Sequence, residues 1–271
     1  MDNTDKKNRL EDILRSYGSA AVAFSGGVDS SFLLRTARDV LGDRAFAVTA
    51  RTNTFPEREI LQAEEFCGRE GIRQYGFDFN VLDAEGFTAN PPERCYICKK
   101  ALFTRIKEIA AQNGAAYVLE GSNLDDEGDF RPGMRAVAEL GIKSPLREAG
   151  LTKADIRTLS RGMGLDTWNK PSFACLATRI PYGDEITAGK LEMVGEAEQF
   201  LLDLGFGQVR VRLCKDTARI EILPEEFKTI LDEGMRGRVY DKFNELGFNY
   251  VTLDLKGYRS GSMNEILEDT K

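Results

Sequence analysis

The first compact apolar run, AAVAFS at 20–25, is too short for a buried helix and predicts a strand. Beyond it Leu33, Leu34, Ala37, Val40 and Leu41 recur at helical spacing, and Gly42 supplies the stop. AFAVTA at 45–50 predicts a second strand, 56–69 a helix closed by Gly71, and IRQYGFDF at 72–79 a third extended segment. Leu102, Phe103, Ile106 and Ile109 share one side of a further helix that stops at Gly114; AAYVLEG at 115–121 then predicts another buried strand. Strands alternating with helices predict an α/β fold, a parallel sheet covered on both faces.

After about residue 165 the pattern changes. A long helix is expected around 187–204, with Leu191, Val194, Leu201 and Leu204 on its apolar side. QVRVRLC, a turn at KDT and ARIEIL predict a hairpin; one or two helices and a last strand, FNYVTLDL, follow. This is α+β in character, so the expected organisation is an α/β domain over 1–168 and a smaller α+β domain over 169–271. Period-2 alternation puts Arg210 and Arg212 on one face of the hairpin, opposite Val209, Val211 and Leu213. On the partner strand Arg219 and Glu221 share a face. Such arginines are either a solvated surface paired with Glu221 or forks for oxyanions.

At 271 residues the chain has room for two domains. Its 42% apolar and 30% charged content is that of an ordinary soluble protein. There is no apolar run of the roughly 18 residues that a membrane span needs. The charged N-terminal stretch has no export signal, so a cytoplasmic location is expected. In that compartment a CxxC pair is metal-binding or catalytic more often than a disulfide. The net charge of −7 disfavours nucleic acid as the main partner. The chain also has no histidine, which removes the usual acid–base side chain near neutral pH. Chemistry therefore falls to thiolates, carboxylates, arginine, lysine and bound ions.

SGGVDS at 25–30 lies at a strand end and opens a helix, where backbone N–H groups and the helix dipole favour anions. Gly26 and Gly27 let the backbone approach an oxyanion, Ser25 and Ser30 offer hydroxyls, and Asp29 is suited to hold Mg²⁺. A glycine pair alone also makes a plain tight turn. The loop lacks the lysine of the GxxxxGK[ST] pattern. Among the five cysteines, Cys67 falls on an apolar helix face and Cys214 near a strand end, both structural readings. Cys95 and Cys98 stand in ERCYICKK and Cys175 in a Pro- and Gly-bounded loop; Cys98 begins a helix, where the dipole lowers a thiol pKa. A zinc site would want a fourth ligand, and a redox pair would leave Cys175 unexplained.

SGGVDS resembles the PP-loop of the ATP pyrophosphatases, which cut ATP between its α and β phosphates. KPSFACLATRIPYG at 170–183, EGSNLDDEGDFRPGMRA at 120–136, VRVR…ARIEI at 209–222 and GYRSGSMNE at 257–265 closely resemble the LarE family. Its members are ATP-dependent sulfur transferases that adenylate the carboxylates of pyridinium-3,5-biscarboxylate mononucleotide and convert them to thiocarboxylates for the nickel-pincer cofactor of lactate racemase. The resemblance implies ATP and Mg²⁺ as cofactors, adenine near Ala50, Arg51 and Thr52, and Asp125, Asp126 and Asp129 in the nucleotide and metal environment. It further implies a [4Fe–4S] cluster on Cys95, Cys98 and Cys175, whose open iron carries the sulfide, with Lys99 and Lys100 balancing its charge. The family's other style, with Cys175 as sacrificial sulfur donor, stays open, as does a PP-loop tRNA thiolase. Arg179 is implied to steady the acyl-adenylate, with a loop salt bridge as its alternative. Arg210, Arg212, Arg219 and Glu221 are implied to meet the substrate. Members often carry histidine after the second arginine, where this chain has Leu213 and Cys214. A small-molecule substrate, an unidentified sulfide source and a homo-oligomer complete the expectation.

Overall fold

The computed structural model describes residues 2–126, 132–171, 173–259 and 261–264. The chain forms two compact units, Met1–Ala84 with Glu93–Phe173 and Glu85–Pro92 with Ala174–Lys271.

In the first unit β1 (Ala20–Ala23) has almost no polar side chain to offer water, and its first three residues are fully buried. Such a strand needs cover on both faces. Helices α1 (Asn3–Tyr17) and α2 (Val28–Leu41) precede β2 (Ala45–Arg51); α3 (Glu57–Arg69), β3 (Gln74–Asp78), α4 (Arg94–Gln112) and β4 (Tyr117–Leu119) follow. Short α5 (Gly133–Glu139) and α6 (Pro145–Glu148) lead to α7 (Lys153–Gly162). The strands run β3-β2-β1-β4, all parallel. Pleating sends alternate side chains to opposite layers. Ala20, Val22, Ala45 and Ala47 join Leu10, Leu14, Phe32 and Ile156 on one side. Ala21, Phe46 and Val48 join Phe103, Ile106 and Val118 on the other. A parallel bridge from Leu119 to Lys143 continues the sheet beyond β4.

Successive strands step outward from β1 to β2 to β3, and the chain then returns to set β4 on the far side of β1. The reversal opens a crevice at the carboxyl ends of β1 and β4, the usual ligand position in such sheets.

In the second unit α8 (Ala188–Asp203) buries Leu191, Val194, Ala197 and Leu201 and lies against β5 (Arg210–Cys214). β5 and β6 (Thr217–Glu221) form the expected antiparallel hairpin, with Lys215 at φ 59° in its turn. After α9 (Phe227–Ile230) and α10 (Glu233–Glu245), β7 (Tyr250–Leu253) pairs parallel to β6. The helical crossover is what a parallel neighbour requires. Residues 85–92, an excursion from the first unit's sequence, belong to this second unit. There Asn90 is fully buried, and its amide donates to the carbonyls of Ile180 (3.2 Å) and Pro181 (2.6 Å).

Candidate functional site

The SGGVDS loop spans the gap between β1 and α2. Gly26 has φ 70°, and a Cβ there would meet the Ala63 Cβ at 3.2 Å, so both conformation and space require glycine. Gly27 caps α2 without a side chain, leaving the first helical N–H groups facing the crevice. The Ser25 and Ser30 hydroxyls lie 3.2 Å apart, and Ser30 Oγ also donates to the Gly27 carbonyl at 3.2 Å. Across the switch point, Gly121 passes so close that a Cβ would lie 3.2 Å from the Ser30 nitrogen.

A cavity of about 460 Å³ opens above this loop. Ser25, Gly27, Asp29 and Ser30 line its loop end; Thr49, Ala50 and Thr52 bring in the end of β2. Leu102, Phe103 and Ile106 of α4 and the ring of Phe173 provide apolar wall, and Asp126 closes one edge. The volume and the mix of apolar wall with a few convergent polar groups suit a nucleotide-sized ligand. Arg51 is not among the lining residues: its guanidinium turns to Glu64, at 2.9 Å. Gly26 instead faces a second cavity of about 350 Å³ with Arg69, Thr167 and Lys170. Asp129 lies outside the described residues.

Asp29 Oδ2 accepts from the Lys153 ammonium, whereas Oδ1 is buried without a hydrogen-bond partner. Burial pushes this carboxyl above its ordinary value; Lys153 and, more weakly, the nearby Asn123 side chain pull it back, while the negative charge of Asp126 adds to the rise. An unsatisfied carboxylate oxygen beside a phosphate loop fits a hard divalent cation such as Mg²⁺. Asp125 Oδ2 accepts the Lys153 backbone N–H at 2.8 Å, and Asp126 Oδ2 that of Asn123 at 2.9 Å. Behind the loop, Lys170 pairs with Glu59 at 2.7 Å and donates to the Gly26 carbonyl at 3.1 Å.

The CxxC pair sits in the first turns of α4, Cys95 exposed and Cys98 half-buried, three residues apart and thus on one side of the helix. Lys99, next to Cys98, lines the 460 Å³ cavity, so one turn of helix carries both the thiols and a nucleotide-side cation. Gly133 at the start of α5 passes close by: a Cβ would meet Lys99 Cδ at 2.7 Å and the Cys95 carbonyl at 3.3 Å. Lys100 donates to Tyr96 Oη at 3.0 Å and pairs with Glu139. None of the five cysteines is in a disulfide; burial pushes the Cys67 thiol up to about 12, in keeping with an inert core residue. Cys214 is half-buried at the end of β5. Among the described residues no group of three or more Cys, Asp or Glu side chains is gathered as a metal site.

In the second unit, half-buried Cys175 precedes a short 3₁₀ turn, Leu176–Arg179. Its carbonyl accepts from Thr178 N (2.9 Å), Thr178 Oγ1 (2.8 Å) and Arg179 Nη1 (3.4 Å). Arg179 is buried, and its fork grips Glu198 of α8 at 2.7 and 2.8 Å. Glu198 also accepts the Val211 N–H at 2.8 Å. The ion-pair alternative named for Arg179 is therefore present, and through it the cysteine loop is tied to α8 and β5.

The hairpin register sets Arg212 directly opposite Arg219 and Arg210 opposite Glu221. Like charges in direct register repel. Buried Glu221 relieves this: Arg212 donates to both its oxygens at 3.0 Å, and Arg219 to one at 3.2 Å. Arg212 further reaches Ser262 Oγ (2.8 Å) and the Thr178 carbonyl (2.7 Å). Arg210 lies over the Tyr258 ring, 5.2 Å from its centroid, and burial, with Arg179 nearby, lowers its pKa to about 10. Arg259 approaches Asp254 at 3.4 Å. Five arginines against Glu198, Glu221 and Asp254 leave this face with surplus positive charge, suited to an oxyanion.

Lys153, Lys170, Glu59, Phe55, Glu120 and Phe173 also meet the loop or its cavities and were not singled out from sequence. Lys170 opens the KPSFAC motif, a signal that was available. Lys153 had none, since it lies 124 positions from Asp29.

No protein-family model matches the chain. The pyridinium-3,5-bisthiocarboxylic acid mononucleotide synthase of Lactiplantibacillus plantarum is 41% identical over 267 residues, 97% of this chain and 95% of that protein. An uncharacterized protein of Synechocystis sp. is 40% identical over 264 residues, 96% of this chain and 98% of its own. A glutamine-hydrolyzing GMP synthase subunit of Archaeoglobus fulgidus is 27% identical over 197 residues, 68% of this chain and 64% of that protein. The parallel α/β unit with its SGGVDS loop is the PP-loop fold that these GMP synthases share.

Proposed function

The chain belongs to the LarE family, that of the pyridinium-3,5-bisthiocarboxylic acid mononucleotide synthase, and on that premise we propose that it is an ATP-dependent sulfur transferase acting on pyridinium-3,5-biscarboxylate mononucleotide. The observation that carries the reading is the near-complete, 41% identical match to that synthase. The phosphate loop under a nucleotide-sized cavity and the arginine-rich face of the second unit support it.

ATP sits with its phosphates over Ser25, Gly26, Gly27 and Ser30 and its adenine toward Ala50. Mg²⁺ held by Asp29, with Asp126 beside it, would offset the triphosphate charge. A substrate carboxylate oxygen attacks the α-phosphorus, the bond to the β-phosphate bridge breaks, and pyrophosphate leaves. One carboxylate oxygen, a very poor leaving group as oxide, now leaves as part of AMP: sulfur bonds to the acyl carbon and the bond from that carbon to the AMP oxygen breaks. A [4Fe–4S] cluster on Cys95, Cys98 and Cys175 would supply that sulfur as sulfide; three thiols outside any disulfide, in a chain with no histidine, are a donor set that fits such a cluster. Arg210, Arg212 and Arg219, set by Glu221, hold the substrate's phosphate and second carboxylate, and Arg179 keeps the Cys175 loop in place. Arg51, turned to Glu64, is left with the rim of the adenine end. We further propose a cytoplasmic homo-oligomer that takes a small-molecule substrate and no nucleic acid.

The test is anaerobic incubation with ATP, the pyridinium nucleotide and iron-plus-sulfide-reconstituted protein, following AMP, pyrophosphate and the thiocarboxylate mass. Substrate-dependent AMP release with repeated thiocarboxylate formation is expected, together with broad absorption near 400 nm that Cys95→Ala, Cys98→Ala and Cys175→Ala each diminish (order of magnitude for thiolate-bound clusters). Dehydroalanine at Cys175 after one turnover would overturn the cluster route. AMP release that responds to tRNA and not to the pyridinium nucleotide would overturn the substrate.

A further inference from the structure

The phosphate loop lacks a lysine of its own, yet two lysines from distant parts of the chain meet it. Lys153 and Lys170 both line a side cavity of about 170 Å³ together with Ser25, Gly27, Asp29 and Glu59. Each is neutralised by a carboxylate: Lys153 by Asp29, Lys170 by Glu59. The two pairs differ in how firmly they are made. Lys170 has a second partner, the Gly26 carbonyl at 3.1 Å, and its side chain is only 16% exposed. It ties the loop to α3. The Lys153 ammonium is hydrogen-bonded, among the described residues, to Asp29 alone, and its side chain is 30% exposed.

Asp29 is also the carboxylate that fits the metal. Its Oδ1 is buried and unpartnered, while its Oδ2 carries the ammonium. A divalent ion on the free Oδ1 would stand within one carboxylate's width of the ammonium on Oδ2, and the two cations repel. Metal binding at Asp29 therefore weakens the Lys153 contact, and a lysine released inside this cavity is beside the loop's N–H groups, where triphosphate oxygens would lie. Released without an anion to meet, the ammonium would be left next to a dication, which is unfavourable. Metal arrival and triphosphate arrival are thereby linked through one side chain.

We propose that Lys153 is a stand-in cation: it occupies the metal's carboxylate in the nucleotide-free protein and transfers to the β- and γ-phosphate oxygens when metal and nucleotide enter together. It thus does the work of the absent loop lysine and makes metal binding depend on nucleotide. Lys170 stays with Glu59 throughout. The inference rests on the ATP-dependent reading above.

Two equilibrium titrations test it without turnover. Free Mn²⁺ is titrated by its electron paramagnetic resonance signal, and α,β-methylene-ATP, which cannot be cut at the reacting bond, is titrated by calorimetry at saturating Mn²⁺. Lys153→Met is expected to bind Mn²⁺ alone more tightly, by about 3- to 10-fold, since Asp29 is freed. The same variant is expected to bind the Mn²⁺–nucleotide analogue about 10-fold or more weakly, having lost a phosphate cation. Lys153→Arg keeps the charge and should stay on the wild-type side of both values. Opposed signs are the signature, because a merely structural lysine would weaken both affinities or move neither. Loss of Mn²⁺ affinity in Lys153→Met, or an unchanged analogue affinity, overturns the exchange. If wild type binds free Mn²⁺ yet no analogue, the ATP reading itself falls, and the exchange with it.

Discussion

Arg210 shows what a buried charge costs. It is 6% exposed, its Nη1 donates to the neighbouring Val209 carbonyl, and burial holds its pKa near 10 against an ordinary 12.5. A cation whose folded pKa lies below its unfolded value is disfavoured in the native state, and that penalty is present at neutral pH and relieved only as pH rises above about 10. Arg210→Met should therefore stabilise the protein at pH 7 by roughly 1–3 kcal/mol in urea denaturation, while inorganic phosphate loses its ability to protect the variant. Destabilisation instead would mean that the arginine is held for structural reasons. Arg212 and Arg219 both pair with the Glu221 carboxylate. Which face of the hairpin these residues share was legible from period-2 alternation. That the face is buried was not, since Glu221, Ser262 and Thr178 meet there from separate segments.

At the scale of elements, α4 and α5 are clamped beside the cysteine pair. Tyr96 Oη donates to Glu139 at 2.7 Å, and the Arg135 guanidinium lies 3.8 Å from the Tyr96 ring centroid. The clamp closes only because Gly133 has no side chain where it passes Lys99 and the Cys95 carbonyl. Gly133→Ala is expected to cost about 1–3 kcal/mol in chemical denaturation, the range of an overpacked contact. A neutral result would mean that Lys99 simply swings aside. Helices α5, α6 and α7, between 121 and 165, were not anticipated, whereas the strands and the helices α2, α3, α4 and α8 were legible: the segment 115–121 contains β4 (Tyr117–Leu119), and 72–79 contains β3 (Gln74–Asp78). Both strands are shorter than expected because apolar runs do not register where the pairing ends. The parallel docking of β7 on β6 had no local signal at all.

For the molecule as a whole, the unit division along the later part of the chain falls after Phe173. The excursion 85–92 into the second unit is carried by Asn90, at φ 52° and fully buried. Its carbonyl accepts the Gly183 N–H at 3.0 Å while its amide serves Ile180 and Pro181. Asn90→Ala leaves a buried and a part-buried carbonyl short of a donor in a backbone conformation alanine resists, so about 1–3 kcal/mol should be lost, read as faster limited proteolysis of the second unit. Unchanged cleavage would show the excursion to be dispensable. Among the described residues no helix is long and apolar enough to cross a membrane. The overall charge of −7 coexists with the positive arginine face, so net charge does not report the sign of one local surface.

The sequence by itself determined what depends on neighbours along the chain. Buried strands, helix periods, the glycine turn that opens α2 and the alternation of the arginine hairpin are all local patterns of spacing and backbone freedom. Tertiary structure alone decided which charges meet. Lys153 reaches Asp29 across 124 positions, Arg179 is committed to Glu198, and Glu221 separates two arginines that register had set face to face. Electrostatic partners are chosen by distance in space and by the cost of burying an unpaired charge, and neither is written in the order of residues.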